Sequence, residues 1–521
     1  MRGCNMIKST VSQLYERCFG YYGDNIAIRQ ENRSYRYSDI ERNGLNLAVG
    51  LQRLGMAKDN RVAFLMANCA EYIFCEYAVA KVGATRVPLA VLLGSEDHIY
   101  MMNLTACRVL VYHTDYSDRV AVMMPQLDSV EYFICVGDAE PAAEDHLRLQ
   151  QLIVESDREF QPVAVDSEDI ASIYFTGGTT GKPKGVMISH RAWACTYLAE
   201  MLEFDIDWQE SFVFVTPLTH AAGCFILPVL LRNGCCVIVK QFDPETLLAT
   251  IERERATATL LVPTMIYVLL EYAGLDNYDL SSLNNILYGA SPTIPEKLKR
   301  AIERFGPIFT QFYGQTEAPM AMCALPRFAH TEQDPDRLHK ILSSAGRPTL
   351  HTELRLLDDN GAEVCRGECG EIVVRLTNLM SGYYQNPEAT AQTIRDGWLY
   401  TGDIAYQDET GLLYIVDRKK DMIISGGFNI YPREVEDVLH QHPAVSMTAV
   451  FGVPHDKWGE EVRAVVVIND GVEFSEQELI NFVKARKGSM MAPKKILFVE
   501  AIPLTNLGKI DKKALRALYA N

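Results

Sequence analysis

Residues 176–185 read T-G-G-T-T-G-K-P-K-G, between the apolar runs I-A-S-I-Y-F at 170–175 and V-M-I-S at 186–189. Gly177, Gly178 and Gly181 let the backbone approach an anion closely and turn its N–H groups toward it. Thr176, Thr179 and Thr180 add hydroxyl donors, and Lys182 and Lys184 add positive charge, so a glycine-rich loop after a strand here suits a triphosphate. It does not match the nucleotide-kinase loop. That pattern needs glycine where Thr176 stands, and Ser or Thr rather than Pro183 after Lys182. It also lacks the G-x-G-x-x-G spacing of a dinucleotide fold.

Outward from the loop, helix and strand signals alternate. Ser38 and Glu41 predict a capped helix through Leu54, with Gly55 as its stop. A strand around Val62–Met66, a helix around Ala70–Val82 and a strand around Thr85–Leu89 follow. After the loop come a helix from about Arg191 and a short strand over Phe309–Tyr313. Such alternation predicts an α/β fold with a mostly parallel sheet covered by helices. From about 344 to 416, short β-rich runs (T-E-L-R-L-L-D, G-E-I-V-V-R-L, L-L-Y-I-V-D) separated by D-D-N-G and D-E-T-G predict a small antiparallel sheet or barrel. The charge run Arg418-Lys419-Lys420-Asp421 marks a boundary. Beyond it lies a unit of about 100 residues with helices opening near Pro432 and at Ser475, boxed with Glu478, and strands at Ser446–Val450 and Val462–Ile468.

A chain of 521 residues exceeds one hydrophobic core, which stops growing at roughly 250–300 residues. A hydrophobic fraction of 48% fits a soluble globular enzyme. The formal charge of −17 leaves no footprint for nucleic acid, so an anionic substrate needs a local cluster of donors. The 13 cysteines follow neither a disulfide framework nor a zinc pattern, and are expected to be reduced and mostly buried. The start M-R-G-C-N-M-I-K-S-T-V-S-Q-L-Y-E-R-C lacks an apolar signal core, and Phe225–Lys240 is broken by Arg232 and Asn233. A cytoplasmic protein without a membrane span is the expectation.

Four more motifs accompany the loop: Y-G-Q-T-E at 313–317, Y-T-G-D at 400–403, D-R-K-K-D-M-I-I-S-G-G at 417–427 and N-L-G-K-I at 506–510. Together with F-T-G-G-T-T-G-K-P-K-G they resemble the adenylate-forming superfamily of acyl-CoA synthetases, adenylation domains and firefly luciferase, over nearly the whole chain and in the family's order. The resemblance implies a large N-terminal domain of doubly wound α/β subdomains with a small β-barrel (1–417, the β-rich part about 344–416). A hinge at 418–421 and a mobile α+β C-terminal domain at 422–521 would follow. It implies ATP and Mg²⁺, with activation of a carboxylic acid as its acyl-adenylate and release of pyrophosphate.

Residue by residue, the resemblance gives Thr176, Gly177, Gly178, Thr179, Thr180 and Lys184 to the phosphates, and Glu317 with Thr176 to Mg²⁺, a hard cation that takes oxygen ligands. Tyr313, within Tyr313-Gly314-Gln315-Thr316, would stack on adenine, with Gly289, Ala290 and Ser291 lining the other side. Asp403 and Arg418 would hold the ribose. Lys509 would span the attacking carboxylate and the α-phosphate, stabilising the charge built there. Lys420 would be the hinge, and rotation would bring Ser425-Gly426-Gly427 toward the adenylate for the second step. His220, in P-L-T-H-A-A-G, stands where the family carries a residue near the acyl carboxylate, without a general-base role.

Two departures from the family pattern bear on function. Gly177 replaces a serine and leaves adenylation intact. S-M-M-A-P at 489–493 replaces the Y-K-x-P of many CoA ligases, with Arg486, Lys494 and Lys495 still nearby as an anion site. CoA is therefore the expected acceptor, with an amine, an amino acid or a carrier-protein pantetheine as the alternative. Luciferase-like oxygenation reuses the same adenylation residues and stays open. The stretches His220–Phe225, Gly289–Pro292 and Tyr313–Met320 carry small or apolar side chains and no Lys or Arg, which predicts a hydrophobic acid. A monomer or homodimer is expected.

Overall fold

The computed structural model describes residues 8–153, 159–176, 182–419, 421–425, 428–455, 458–469, 475–504 and 510–519. The loop residues Gly177, Gly178, Thr179 and Thr180, together with Lys420, Gly426, Gly427 and Lys509, lie outside them.

Among the described residues, four sheets organise the mixed α/β chain. The first has nine strands, and its central ones, Cys235–Ile238, Ser211–Phe214, Ala258–Leu261, Asn285–Gly289 and Phe309–Gln315, run parallel. The second has eight strands, with a parallel centre of Ile170–Thr176, Thr85–Pro88, Arg61–Leu65, Val109–His113 and Tyr132–Val136. Lys184–Ser189 returns antiparallel on Ile170–Thr176, so the two strands that flank the glycine-rich segment in sequence pair side by side. The short strand Gly382–Tyr383 adds to the hairpin's outer side.

The helix Ala70–Lys81 explains how the two large sheets stack. Every residue from Ala70 to Ala80 is buried, as expected of a helix covered all round. Tyr72 packs on Phe64 of the second sheet and Phe74 on Tyr35 beside the first, with ring centroids 5.6 and 5.3 Å apart. One continuous apolar core then runs from sheet to sheet. The two acids on this helix are handled individually. Glu76 is ion-paired with Arg86 and accepts from the Tyr15 hydroxyl, and Glu71 pairs with Arg33. A buried carboxylate is tolerated only when its lone pairs are met in this way.

A third, antiparallel sheet contains Thr352–Leu357, Gly370–Leu376, Trp398–Gln407, Ile394–Arg395 and Leu413–Arg418. The fourth, built from Ile423–Ser425, Phe428–Ile430, Val445–His455, Gly459–Ile468 and Lys495–Phe498, has its own core with the helices Pro432–His440 and Glu476–Met491.

Most elements fall within a residue or two of their expected bounds, and Ser475 and Glu478 do form a capping box. The first predicted helix, which a helix over Val11–Tyr22 precedes, differs. It begins at Tyr37, and the Asp39 carboxylate, rather than Glu41, accepts the Arg36 N–H at 2.8 Å. The reason is local: strand Arg33–Arg36 runs straight into the helix, so the last extended residue is Arg36 and the cap sits two positions earlier than Ser38. The described cysteines are free thiols, most of them buried. Among the described residues, no helix is long and apolar enough to cross a membrane.

Candidate active site

The site assembles at the C-terminal ends of parallel strands, where open α/β sheets place their ligands. Asn285–Gly289 and Phe309–Gln315 end side by side, with Gly289 opposite Phe312. A Cβ on Gly289 would lie 2.4 Å from the Phe312 carbonyl oxygen, and one on Gly314 would lie 2.7 Å from the Met320 backbone. Both glycines are therefore required by close backbone approach. Ala290 follows in the left-handed region, at φ 65°. Ser291 is half-buried beside it, and Thr316 lies in the turn that carries Glu317.

Asp403 is 5% exposed in the middle of Trp398–Gln407. One carboxylate oxygen accepts from the Tyr313 hydroxyl at 2.6 Å and from Gln315 Nε2 at 2.7 Å. The other lies 3.3 Å from Arg418 Nε, on the strand paired alongside. Burial, then the neighbouring Asp403 charge, push the Tyr313 phenol well up, so it stays a donor. Gln315 also donates to the Thr401 carbonyl, at 3.1 Å, which fixes its amide orientation. This glutamine was given no role by the motif reading, although it lies inside Y-G-Q-T-E.

Tyr383 joins the two remaining parts of the site. Its hydroxyl donates to Glu317 Oε1 at 2.7 Å, and the Lys184 ammonium lies 4.1 Å from its ring centroid. Around it the backbone is stitched on both sides: Met380 N–H donates to the Glu317 carbonyl, and Tyr384 N–H to the Gly185 carbonyl. Thr176, opposite Lys184, donates from its hydroxyl to the Lys184 carbonyl at 3.5 Å. The structure thus brings Thr176, Lys184 and Glu317 together at the hairpin, and Tyr313, Asp403 and Arg418 together around one carboxylate. Tyr383 was missed because a two-residue strand in S-G-Y-Y has no periodicity to read. Its only signal is Gly382, at φ 132°.

Among the described residues, no group of three or more His, Cys, Asp or Glu could enclose a metal. Glu317 is a half-buried carboxylate with one oxygen held by Tyr383. That donor set fits Mg²⁺, which keeps waters and substrate phosphates around one or two carboxylates, better than a metal needing an all-protein cage.

His220 precedes the short helix Ala221–Phe225; its N–H donates to the Pro217 carbonyl at 3.1 Å and its own carbonyl accepts from Gly223 at 3.2 Å. Near 489–495, Lys494 donates to the Ser489 carbonyl at 2.7 Å, and Arg486 lies 3.6 Å from the Phe482 ring centroid. Met490 is exposed. Beside the 418–421 segment, the C-terminal helix Lys512–Tyr519 is tied by Lys512 to Asp417 at 3.5 Å and Glu436 at 3.1 Å, and by Arg516 to Asp421 at 3.2 Å. Burial alone would lower the Lys512 pKa, but the two carboxylates outweigh it and raise it, so the ammonium stays charged.

A strand hairpin beside the glycine-rich segment, a half-buried carboxylate held by Tyr383 and a buried aspartate ringed by donors make up the candidate site. The chain belongs to the family of AMP-binding enzymes, matching it over residues 15–384, and matches the AMP-binding enzyme C-terminal domain over 434–509. It is 40% identical over 480 residues to a medium/long-chain-fatty-acid–CoA ligase of Mycobacterium tuberculosis, covering 90% of this chain and 83% of that protein. It is 36% identical to a feruloyl-CoA synthase of Amycolatopsis over 95% of this chain and 96% of the relative. Among solved structures it resembles the amide bond synthetase McbA of Marinactinospora thermotolerans, with a TM-score of 0.89 and 30% identity, covering 98% of this chain and all of that one.

Proposed function

We infer that this enzyme is an AMP-forming acid–thiol ligase acting on a hydrophobic carboxylic acid. In the first step a carboxylate oxygen attacks the α-phosphorus of ATP, the α–β anhydride bond breaks and pyrophosphate leaves. In the second, the CoA thiolate attacks the acyl carbon and AMP leaves. The observation that carries the reading is the Tyr383 bridge, which sets a lysine and a carboxylate at the mouth of the phosphate hairpin.

Thr176, the loop 177–180 and Lys184 hold the phosphates, and Glu317, with Thr176, holds Mg²⁺. An ion held there would neutralise triphosphate charge and so ease the approach of the carboxylate. Tyr313 with Gly289, Ala290 and Ser291 encloses the adenine. Asp403 takes the ribose hydroxyls, exchanging its Tyr313 and Gln315 donors for them, with Arg418 alongside. Lys509 bridges the reacting anions. Lys420 is the hinge of a boundary at 418–421, about which residues 422–521 rotate to present Gly426 and Gly427 for the thiol step. The apolar stretches at His220–Phe225 and Tyr313–Met320 line the acyl site, in keeping with relatives that are fatty-acid–CoA and feruloyl-CoA ligases. Free buried thiols suit a cytoplasmic setting.

A second reading sends the acyl group to an amine instead. It is favoured by the likeness to the amide bond synthetase and by Met490 and Met491 where CoA ligases carry Tyr and Lys.

The test is Lys509→Ala assayed in halves. Acid-dependent pyrophosphate release should fall by at least 100-fold, while thioester formation from supplied acyl-adenylate and CoA stays within about threefold of the parent. Equal loss of both halves refutes the division of labour, and AMP release stimulated only by amines replaces CoA with the second acceptor.

A further inference from the structure

Glu200 lies on helix His190–Glu203 and is fully buried, with no hydrogen-bond partner for either carboxyl oxygen. Nothing in the adenylation chemistry uses it. Burial pushes its pKa well up and so favours the neutral acid, which has one hydroxyl to donate and one carbonyl to accept. Glu76, in the same core, has Arg86 and Tyr15 as partners. An apolar side chain would fill the Glu200 position with less loss, because an unmet buried polar group is more costly than none.

Its surroundings locate it. Its helix packs against the Ala221–Phe225 turn that follows His220. One helical turn before Glu200, Thr196 accepts from Asn378 Nδ2 at 3.1 Å, and the same amide donates to the Pro319 carbonyl at 2.9 Å. Asn378 is also buried. Pro319 precedes Met320, which is held in the left-handed region at φ 63°. The helix face bearing Thr196 and Glu200 therefore looks onto both stretches that line the acyl site. The rings of Phe204, at the C-terminal end of this helix, Phe225 and Phe312 cluster with centroids 5.7 to 6.1 Å apart.

We propose that Glu200 is a specificity-determining residue at the floor of the acyl site, hydrogen-bonding a hydroxyl or carbonyl carried by the acid at the end remote from its carboxylate. The substrate class is then an apolar acid with one distal neutral polar group. A second carboxylate is disfavoured, since no cation stands beside Glu200 among its described neighbours. The inference rests on the ligase reading above. A site built to hydrogen-bond a substrate group rejects the analogue lacking it strongly, because its own buried polar atoms are left unpaired.

Two matched pairs test it: 3-phenylpropanoate against 3-(4-hydroxyphenyl)propanoate, and octanoate against 8-hydroxyoctanoate, in acid-dependent pyrophosphate release by the full chain. The parent should favour the hydroxylated member of at least one pair by tenfold or more in kcat/KM. Glu200→Leu should erase or reverse that preference, and Glu200→Gln, which keeps a donor and an acceptor, should retain it. A parent with no preference in either pair, or a Glu200→Leu variant that keeps the preference, overturns the inference while leaving the ligase reading intact. Failure of every acid to stimulate pyrophosphate release defeats both. Should Glu200→Leu fail to fold, infrared difference spectra decide. The protonated carboxyl band that Glu200→Gln removes should shift with the hydroxylated acid and not with its partner, and equal spectra for the two refute the assignment.

Discussion

Replacing Tyr383 by phenylalanine removes one atom from the candidate site and leaves its packing in place. The ring stays between Gly382 and Tyr384, and Lys184 keeps the ring face it lies over, 4.1 Å from the centroid. Only the 2.7 Å donation to Glu317 Oε1 is lost. A hydrogen bond to a charged group is worth about 1.5–3 kcal/mol net. Glu317 is half-buried, so water replaces part of the lost bond and the lower end of that range applies. The released carboxylate no longer presents one orientation to the metal-bound triphosphate, and about 1.4 kcal/mol of transition-state stabilisation is a tenfold loss. The assay is steady-state pyrophosphate release at several Mg²⁺ concentrations, beside thioester formation from supplied acyl-adenylate, which involves no triphosphate. Tyr383→Phe should lower kcat for the first about tenfold, raise the Mg²⁺ concentration needed for half-maximal rate, and leave the second unchanged. A parallel fall in both reactions, or an unaltered Mg²⁺ dependence, would refute the view that Tyr383 acts through Glu317.

Gly289→Ala places a methyl group 2.4 Å from the Phe312 carbonyl, between two parallel strands that cannot part without losing their ladder. It should destabilise the chain by about 1–3 kcal/mol in urea titrations and reduce pyrophosphate release through KM for ATP. Glu210 is 2% exposed, and burial pushes its carboxyl up to about 8. The native state therefore keeps a proton that the unfolded chain loses near its ordinary value. The contribution of this group to stability is complete below about pH 4.5 and is lost as pH rises toward 8, at no more than about 1.4 kcal/mol per pH unit. Glu210→Gln should flatten that stretch of the unfolding-midpoint curve, and an unchanged slope would show that the carboxyl is ionised in the native state.

The motifs were legible because their chemistry is carried by residue types at short spacing. Y-G-Q-T-E and T-G-D name Tyr313 and Asp403 without reference to each other, yet the two meet at 2.6 Å across 90 positions of chain. What the motifs hid was the state of the carboxylate. Asp403 already holds Tyr313, Gln315 and Arg418, so any ribose must compete with donors that no spacing reveals. Helix Ala70–Lys81 was equally plain as a helix, but its position between two sheets, with Glu71 and Glu76 inside, depends on elements from both ends of the N-terminal half. Tyr383 and Glu200 were invisible for a related reason. The first sits in a strand too short to alternate, and the second in a helix whose hydrophobic periodicity is too weak to say which face is buried.

By itself, then, the sequence determined the motifs that mark the family and the order of α/β elements. These depend on backbone freedom, donor type and local periodicity, which are properties of neighbours along the chain. Tertiary structure alone decided which oxygen faces which donor, which acid is paired and which is left neutral in the core. Those outcomes are set by burial and by partners supplied from distant strands, and a carboxyl group carries no mark of either until the chain has closed around it.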